Sequence, residues 1–292
     1  MSVVLRPDHR TPIRPRSSPA VIKALAHRLT SRDRWMMRMV WHHRVLTTPQ
    51  LTTLAFTSYN TAKDRLAILY ELRALDRLRP WNAPWHYVLD APGAEILAAD
   101  NGLTLREFGF RSDRAQRPVK SSHLAHTLGV NQVFVDLYAH TRTPDHHAHL
   151  EWWTEGQCAW HYGDIVRPDA AGTWQVGTYY TSFFLEYDMG TERLRRLTAK
   201  LDSYSELAET TNVRGVVLFY LPSRRREAQL RRAIGSRPPV PVATAVHGAH
   251  PAYAVWARVD DPELRPRTLV DLVPKPAVEQ PFLPDLPETE DG

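Results

Sequence analysis

The segment from Thr181 to Leu221 constrains the fold more than any other part of this 292-residue chain. It holds an apolar stretch typical of a strand (Thr181 to Tyr187), a helical pattern from Thr191 to about Ala208, and a strongly apolar strand pattern from Val213 to Leu221. An amphipathic helix pattern from Leu124 to about His140 and several short strand patterns precede it. The resulting order, α-β-β-β-α-β, predicts an α/β core in which helices cover a central sheet.

The short strand patterns in this part of the chain are separated by polar or Gly-containing turns. They are predicted at Leu150 to Thr154, Asp164 to Arg167 and Trp174 to Gly177. We therefore expect the strand at Asp164 to Arg167 to lead directly into Pro168-Asp169.

The N-terminal third of the chain shows three helix patterns followed by two short extended segments. Helices are predicted from near Ser31, from Gln50 to Phe56 and from Thr61 to about Asp76. The segment Leu78 to Leu89 has the composition of two strands around an Asn/Pro turn. This order is that of a winged helix-turn-helix, in which the third helix enters the DNA major groove.

Basic and amide side chains on the third helix and the wing are the candidate DNA contacts. They are Asn60, Lys63, Arg65, Arg73, Arg77 and Arg79. A three-helix domain of this kind can also dock another protein, and the basic residues favour DNA.

Charge is distributed unevenly along the chain. Residues 1–120 hold 20 Lys and Arg against 10 Asp and Glu, whereas the remainder holds 17 against 22. A basic N-terminal half indicates a polyanionic partner, and a solvated basic face is the alternative. No apolar run is long enough to span a bilayer, and the single cysteine, Cys158, suits a reducing compartment. We expect a cytoplasmic protein without a membrane partner, in which Cys158 is a small buried residue.

These patterns predict an α+β protein: a winged helix-turn-helix domain followed by an α/β domain. The predicted segments are a flexible basic arm (1–20), the winged-helix domain (21–100), a basic linker (101–120), the α/β domain (121–262) and a Pro- and acid-rich tail (263–292).

Three carboxylates mark a candidate metal site in the second domain. Asp169 follows Pro168, while Glu186 and Asp188 stand two residues apart at the end of an apolar strand and so share one face of the sheet. If the two segments form a hairpin, Asp169 comes beside the other two. Carboxylates suit a hard cation such as Mg²⁺ or Mn²⁺, which polarises a phosphodiester and lowers the pKa of the attacking water.

Pro168-Asp169 and Glu186 resemble the signature of the PD-(D/E)XK nucleases, Pro-Asp followed at a distance by Glu-x-Lys. This resemblance implies that the α/β domain (121–262) is a nuclease-like domain with the restriction-endonuclease fold. Over roughly residues 30–235 the chain more closely resembles the replication-relaxation family of actinobacterial plasmids and integrative elements. The segments that carry the resemblance are "LTTPQLTTLAF", "YVLDAPGAEILAA", "HTLGVNQVFVDLYAH", "RPDA" and "FFLEYDMGTERLRRLTAKLDSYSEL". The resemblance implies a role in plasmid replication or mobilisation. It also implies similarity to conjugative relaxases that use this nuclease core.

The nuclease motif departs from its pattern at Asp188, which stands where the lysine belongs. Lys200 is the candidate replacement, because helical periodicity places it at the margin of the buried stripe, within reach of Glu186. A lysine whose stem covers apolar surface is the alternative. Glu151 and His123 are possible additional site residues, and a surface or packing role for each is the alternative.

Three functions remain open. The first is a metal-dependent nuclease or nicking relaxase that uses Asp169, Glu186 and Lys200. The second is a non-catalytic DNA-binding protein for replication or copy control that keeps the nuclease fold as a scaffold. The third is an adaptor between proteins, and other replication or conjugation proteins are possible partners in each case. The sequence does not set the oligomeric state.

Overall fold

The computed structural model describes residues 18–80, 82–143, 147–272 and 275–276. Most of the predicted basic arm and most of the predicted tail lie outside the described residues. The protein is mixed α+β and divides into two compact units, the first ending at Asn131 and the second beginning at Gln132. This division falls within a helix, whereas we expected the second domain to start before that helix.

The first unit combines helices with a small antiparallel sheet in the order β1-β3-β2. Its elements are α1 (Pro19–Ala26), α2 (Ser31–His42), β1 (Leu46–Thr47), α3 (Thr48–Ala55), α4 (Tyr59–Glu71), β2 (Leu75–Leu78), β3 (His86–Leu89), α5 (Ala91–Asp100) and α6 (Arg117–Lys120).

Local capping explains where the helices of this unit begin. The side chains of Thr30 and Thr47 each accept a hydrogen bond from the backbone N–H three residues later. The side chains of Asp33 and Gln50 in turn accept from the backbone N–H of the capping threonine. Such capping boxes satisfy amide groups that the helix leaves without partners. Both helices begin within two residues of the positions predicted from the sequence.

Helix α4 ends earlier than the sequence analysis predicted, and the residues after it form strand β2. Arg73 adopts a left-handed conformation with φ of 64°. The Ala74 amide then donates to the Leu69 carbonyl, which closes the helix. The leucine periodicity continues to Leu75 because that side chain is buried in the strand as well.

Residues 101–120, expected to form a linker, are packed against the first unit. Phe108 stacks on Trp41 of α2 with ring centroids 4.8 Å apart, and Val119 is fully buried. Phe108 and Phe110 are isolated aromatic residues and give no periodic signal, so this packing was not predicted from the sequence.

The second unit is built on a mixed sheet in the order β10-β9-β8-β7-β6-β5-β4, with β11 paired to β6. Helix α7 (Leu124–Thr141) leads into this unit. The elements that follow are β4 (Ala148–Thr154), α8 (Glu155–Tyr162), β5 (Ala170–Val176), β6 (Tyr179–Tyr187), α9 (Leu194–Thr211), β7 (Val216–Leu221), α10 (Arg224–Ile234), β8 (Val242–Val246), β9 (Trp256–Arg258), β10 (Pro266–Arg267) and β11 (Lys275–Pro276). Strands β6, β7 and β8 are parallel, and the other pairs are antiparallel.

Helix α9 covers one face of this sheet and creates its main core. Leu197, Leu201 and Tyr204 pack on Phe184 and Val217 together with other buried side chains. The opposite face carries Phe183 and Trp152, which contact each other and, through Trp152, Phe134 of α7. Alternation along β6 therefore sends Phe184 and Glu186 to the α9 side.

One predicted strand does not form. Residues 164–167 lie in the turn and extended segment between α8 and β5, and β5 begins only at Ala170. Helix α8, which begins at a capping box on Thr154, was not predicted. Asp169 consequently precedes a strand instead of ending one. No helix in the described part of the chain is long and apolar enough to cross a membrane.

Candidate functional site

The hairpin of β5 and β6 brings Asp169 beside Glu186. Ala170 pairs with Leu185, and the Asp169 amide donates to the Leu185 carbonyl at 3.1 Å. The Tyr187 amide donates to Asp169 Oδ2 at 2.8 Å. Backbone contacts on both sides of Glu186 thus hold the Asp169 carboxylate at the same end of β6, as the hairpin prediction required.

Glu186 is 2% exposed and is contacted by two side chains of helix α9. Lys200 Nζ donates to Oε2 at 2.5 Å, and the Tyr204 hydroxyl donates to Oε1 at 2.6 Å. Lys200 and Tyr204 are four residues apart and therefore lie on one side of the helix. The predicted reach of Lys200 toward Glu186 is present in the structure.

The electrostatics of this cluster favour a carboxyl group that holds a proton more tightly than usual. Burial, followed by the charge of Asp169, raises the pKa of Glu186 to about 7, against the opposing effect of Lys200 and Tyr204. Burial lowers the pKa of Lys200, but Glu186 and Asp169 outweigh burial and raise it. Burial and the Glu186 charge raise the pKa of Tyr204 well above 10, so its hydroxyl stays a proton donor.

Asp188 forms an ion pair with an arginine of helix α10. It follows Tyr187, the last residue of β6, and its carboxylate accepts from Arg226 Nε at 2.7 Å. Its Oδ1 also accepts from the Gly190 amide at 2.9 Å. This structural ion pair with α10 competes with the role of metal ligand that we expected for Asp188. The described residues contain no group of three or more His, Cys, Asp or Glu side chains that could hold a metal ion.

Of the two additional candidates, Glu151 does not lie beside Glu186. Glu151 of β4 pairs with Thr173 of β5. Thr173 in turn pairs with Ser182 of β6, four residues before Glu186. Four strand residues correspond to about 13 Å, too far for one shared ion. His123 is exposed and belongs to the first unit. Its amide donates to Ser121 Oγ at 3.1 Å.

Two of the residues predicted to contact DNA form ion pairs within the first unit. Arg65 forms an ion pair with the fully buried Asp33 and also donates to the Arg28 carbonyl. Burial raises the pKa of Asp33, but hydrogen bonds from Arg65 and Thr30 outweigh it and lower that pKa overall. Arg73 donates to Asp90 at 3.1 Å through both Nε and an Nη atom. These guanidinium groups stabilise α2, α4 and the β2–β3 region.

Of the remaining predicted contacts, two are exposed and two, Arg77 and Arg79, are half-buried. Asn60 and Lys63 are exposed on the first two turns of α4. Arg77 lies over the rings of Tyr70 and Trp85, with 4.3 and 4.2 Å to the centroids, and Arg79 lies near Trp85. Stacking fixes the direction of both arginine side chains.

Two important residues were not predicted from the sequence. Tyr204 follows the leucine periodicity of α9, which predicts only packing, although a tyrosine among leucines signals a hydroxyl that needs a polar partner. Arg226 lies 38 residues beyond Asp188, and no local pattern connects them. Cys158 is buried, as predicted, and burial raises the pKa of its thiol to about 12.

Comparison with known proteins gives one match. A family model described as replication-relaxation matches residues 37–217, more than half of the chain. The matched range includes helices α3 to α6 of the first unit, the Asp169–Glu186 hairpin and Lys200. No match is found among curated proteins or among solved structures.

Proposed function

Because the chain belongs to the replication-relaxation family, we propose that it is a DNA-binding protein of plasmid or mobile-element replication or mobilisation whose second unit is a metal-dependent nuclease. The nuclease acts on phosphodiester bonds and nicks DNA, and other replication or conjugation proteins are its expected partners. The observation that carries the proposal is the contact of Lys200 with Glu186 beside Asp169.

That contact supports a nuclease because Lys200 provides the positive charge that the lysine of the Glu-x-Lys motif would otherwise supply. The PD-(D/E)XK pattern requires a carboxylate pair and a cation, and Asp188 has replaced the lysine on the strand. Lys200 supplies an ammonium group at 2.5 Å from the Glu186 carboxylate. Its side chain is 29% exposed, and in the proposed mechanism its ammonium group contacts a phosphate oxygen. There it would stabilise the negative charge that develops during cleavage.

The donor set fits Mg²⁺ or Mn²⁺ through two carboxylates, Asp169 and Glu186. Mg²⁺ in phosphoryl-transfer sites is commonly bound by one or two carboxylates together with water and substrate phosphates. When bound, the ion supplies Lewis-acid polarisation and an activated water. Tyr204 holds one oxygen of Glu186 and fixes the direction of the other. The backbone amide of Tyr187 orients Asp169 in the same way.

The test is nicking of a supercoiled plasmid by the full chain with Mg²⁺ or Mn²⁺. We expect the wild type to nick and Asp169→Asn and Glu186→Gln to lose nicking. Asp202→Asn is the matched control, because Asp202 is an exposed carboxylate on α9 outside the cluster. No nicking by the wild type, or equal nicking by Asp169→Asn, would overturn the proposed activity.

A specific observation also favours a non-catalytic alternative. Asp188 is occupied by Arg226, and the described residues hold no cluster of three metal-ligating side chains. In that case the second unit is a scaffold for a DNA-binding protein of replication or copy control. DNA binding would then survive Asp169→Asn, and no variant of the cluster would alter any cleavage.

The first unit supports DNA binding through its order of elements. Helix, strand, two helices and two strands follow one another from α2 to β3. This is the order of a winged helix-turn-helix, in which α4 is the recognition helix and β2–β3 the wing. We assign duplex contacts to Asn60, Lys63 and Arg79. Arg65 is excluded from a simple test of this assignment, since its loss leaves the buried Asp33 without its ion-pair partner.

A further inference from the structure

One tryptophan of the second unit is almost entirely in solvent. Trp160 on α8 is 81% exposed, whereas Trp153, Trp174 and Trp256 are each at most 1% exposed. The ring of Trp160 contacts His161 edge-on at 4.4 Å, and His161 stacks on Trp153 at 4.1 Å. Its neighbours support the tryptophan from one side, and its remaining surface is open.

Trp160 is on helix α8, which begins at the same end of the sheet as the carboxylate cluster. Strand β5 is antiparallel to both β4 and β6, so β4 and β6 run in the same direction, and β7 is parallel to β6. Helices α8, α9 and α10 follow β4, β6 and β7 and therefore begin at the end of the sheet that carries Glu186.

Six exposed arginines lie at the same end of the sheet, and we call them the arginine rim. They precede β5 or stand at the starts of α9 and α10: Arg167, Arg193, Arg195, Arg196, Arg224 and Arg225. Arg167 is two residues before Asp169. Arg196 is 80% exposed and lies one turn before Lys200 on α9.

Arg226 connects the two parts of the rim on α9 and α10. Its guanidinium donates to Asp188 at 2.7 Å and to the Glu192 carbonyl. This holds the first turn of α10, with Arg224 and Arg225, next to the residue that precedes Arg193. Acidic neighbours reduce the charge in part: Glu192 pairs with Arg196 at 2.9 Å, and Glu155 and Asp164 are exposed near α8. The six arginines outnumber these three carboxylates.

We propose that the arginine rim and Trp160 form a binding surface for single-stranded DNA on the second unit. The arginines contact consecutive phosphates, and Trp160 stacks on an unpaired base close to the carboxylate cluster. An exposed aromatic ring beside guanidinium groups suits a flexible strand, because bases paired within a duplex do not present their faces. The inference rests on the proposed function and narrows its substrate to DNA with unpaired bases at the cleavage site.

The experiment measures binding of the full chain to a fluorescein-labelled single strand, and to the duplex made from it, by fluorescence anisotropy over a range of NaCl concentrations. EDTA is present, so cleavage does not contribute. The variant R193Q/R224Q/R225Q removes three rim charges. The control R214Q/R232Q/R237Q removes three exposed charges from the opposite end of the sheet, at the start of β7 and the end of α10.

We expect the rim variant to bind the single strand more than about tenfold less tightly at low salt, with a salt slope reduced by about 2. The control should match the wild type. Trp160→Ala should weaken single-strand binding by about tenfold and leave duplex binding unchanged, and Trp160→Phe should retain most of the affinity. Equal losses in the rim and control variants, or an unchanged affinity in Trp160→Ala, would overturn the inference.

Failure of this inference and failure of the proposed activity are distinguishable. If the rim variant binds the single strand more weakly than the control while the wild type does not nick, the binding surface is supported and only the proposed cleavage is wrong. If Asp169-dependent nicking is present while the rim and control variants bind alike, the activity stands and the surface is wrong.

Discussion

Replacing Glu186 by glutamine should stabilise the protein at high pH while removing the proposed nicking activity. The carboxyl group of Glu186 is 2% exposed and lies beside Asp169, and its pKa is raised from 4.5 to about 7. A raised pKa means that the protonated form is favoured on folding. The contribution to stability is therefore complete below about pH 4.5 and is lost as the pH rises through about 7.

The size of the effect follows from that shift. Each pKa unit corresponds to about 1.4 kcal/mol, so ionised Glu186 costs up to about 3 kcal/mol at pH 8 relative to a neutral group. Glutamine has nearly the same shape, keeps an oxygen for Tyr204 and carries no charge. Lys200, with 29% exposure, can turn toward water when its partner is neutral. We expect Glu186→Gln to gain about 1–3 kcal/mol at pH 8.

Urea unfolding followed by tryptophan fluorescence at pH 4.5 and pH 8 measures this difference. The gain at pH 8 should disappear at pH 4.5, where the wild-type carboxyl group is protonated as well. Asp202→Asn, an exposed change on the same helix, should shift neither value. A Glu186→Gln protein that is less stable than the wild type at pH 8, or equally changed at both pH values, would refute the reasoning.

Three further outcomes test other parts of the structure. Asp33→Asn should destabilise the first unit by about 3–5 kcal/mol in urea, because Arg65 loses its charged partner, and a loss below about 1 kcal/mol would contradict that. Gly172→Ala should destabilise the second unit by about 1–3 kcal/mol in the same assay, since a Cβ there would lie 2.4 Å from the Glu151 carbonyl oxygen. Lys63→Gln should lower the salt slope of duplex binding by about 0.9, and an unchanged slope would exclude this contact.

Local patterns predicted much of the core because its burial follows simple periodicity. The leucines of α9 and the apolar strands β6 and β7 appear where the sequence places them, within a few residues. The same periodicity put Lys200 at the edge of the buried stripe, close enough to reach Glu186. The membership of the replication-relaxation family is likewise confirmed.

Long-range partners were not predictable from these patterns. Asp188 looked equivalent to Glu186 by strand alternation, but Arg226 from another helix determines its role. Arg65 and Arg73 are basic residues of the predicted third helix, and the structure pairs them with Asp33 and Asp90. A charged residue in a sequence window does not reveal whether its partner is water, a phosphate or a distant carboxylate.

Nicking by Lys200 variants tests the central claim, that α9 supplies the cation of a nuclease site at Asp169 and Glu186. The measurement is the single-turnover rate of supercoiled-plasmid nicking with Mn²⁺ for the wild type, Lys200→Met and Lys200→Arg, with folding verified by urea unfolding. We expect Lys200→Met to be slower by about 100- to 1000-fold and Lys200→Arg to recover part of the rate. A folded Lys200→Met protein that nicks at the wild-type rate would contradict the claim.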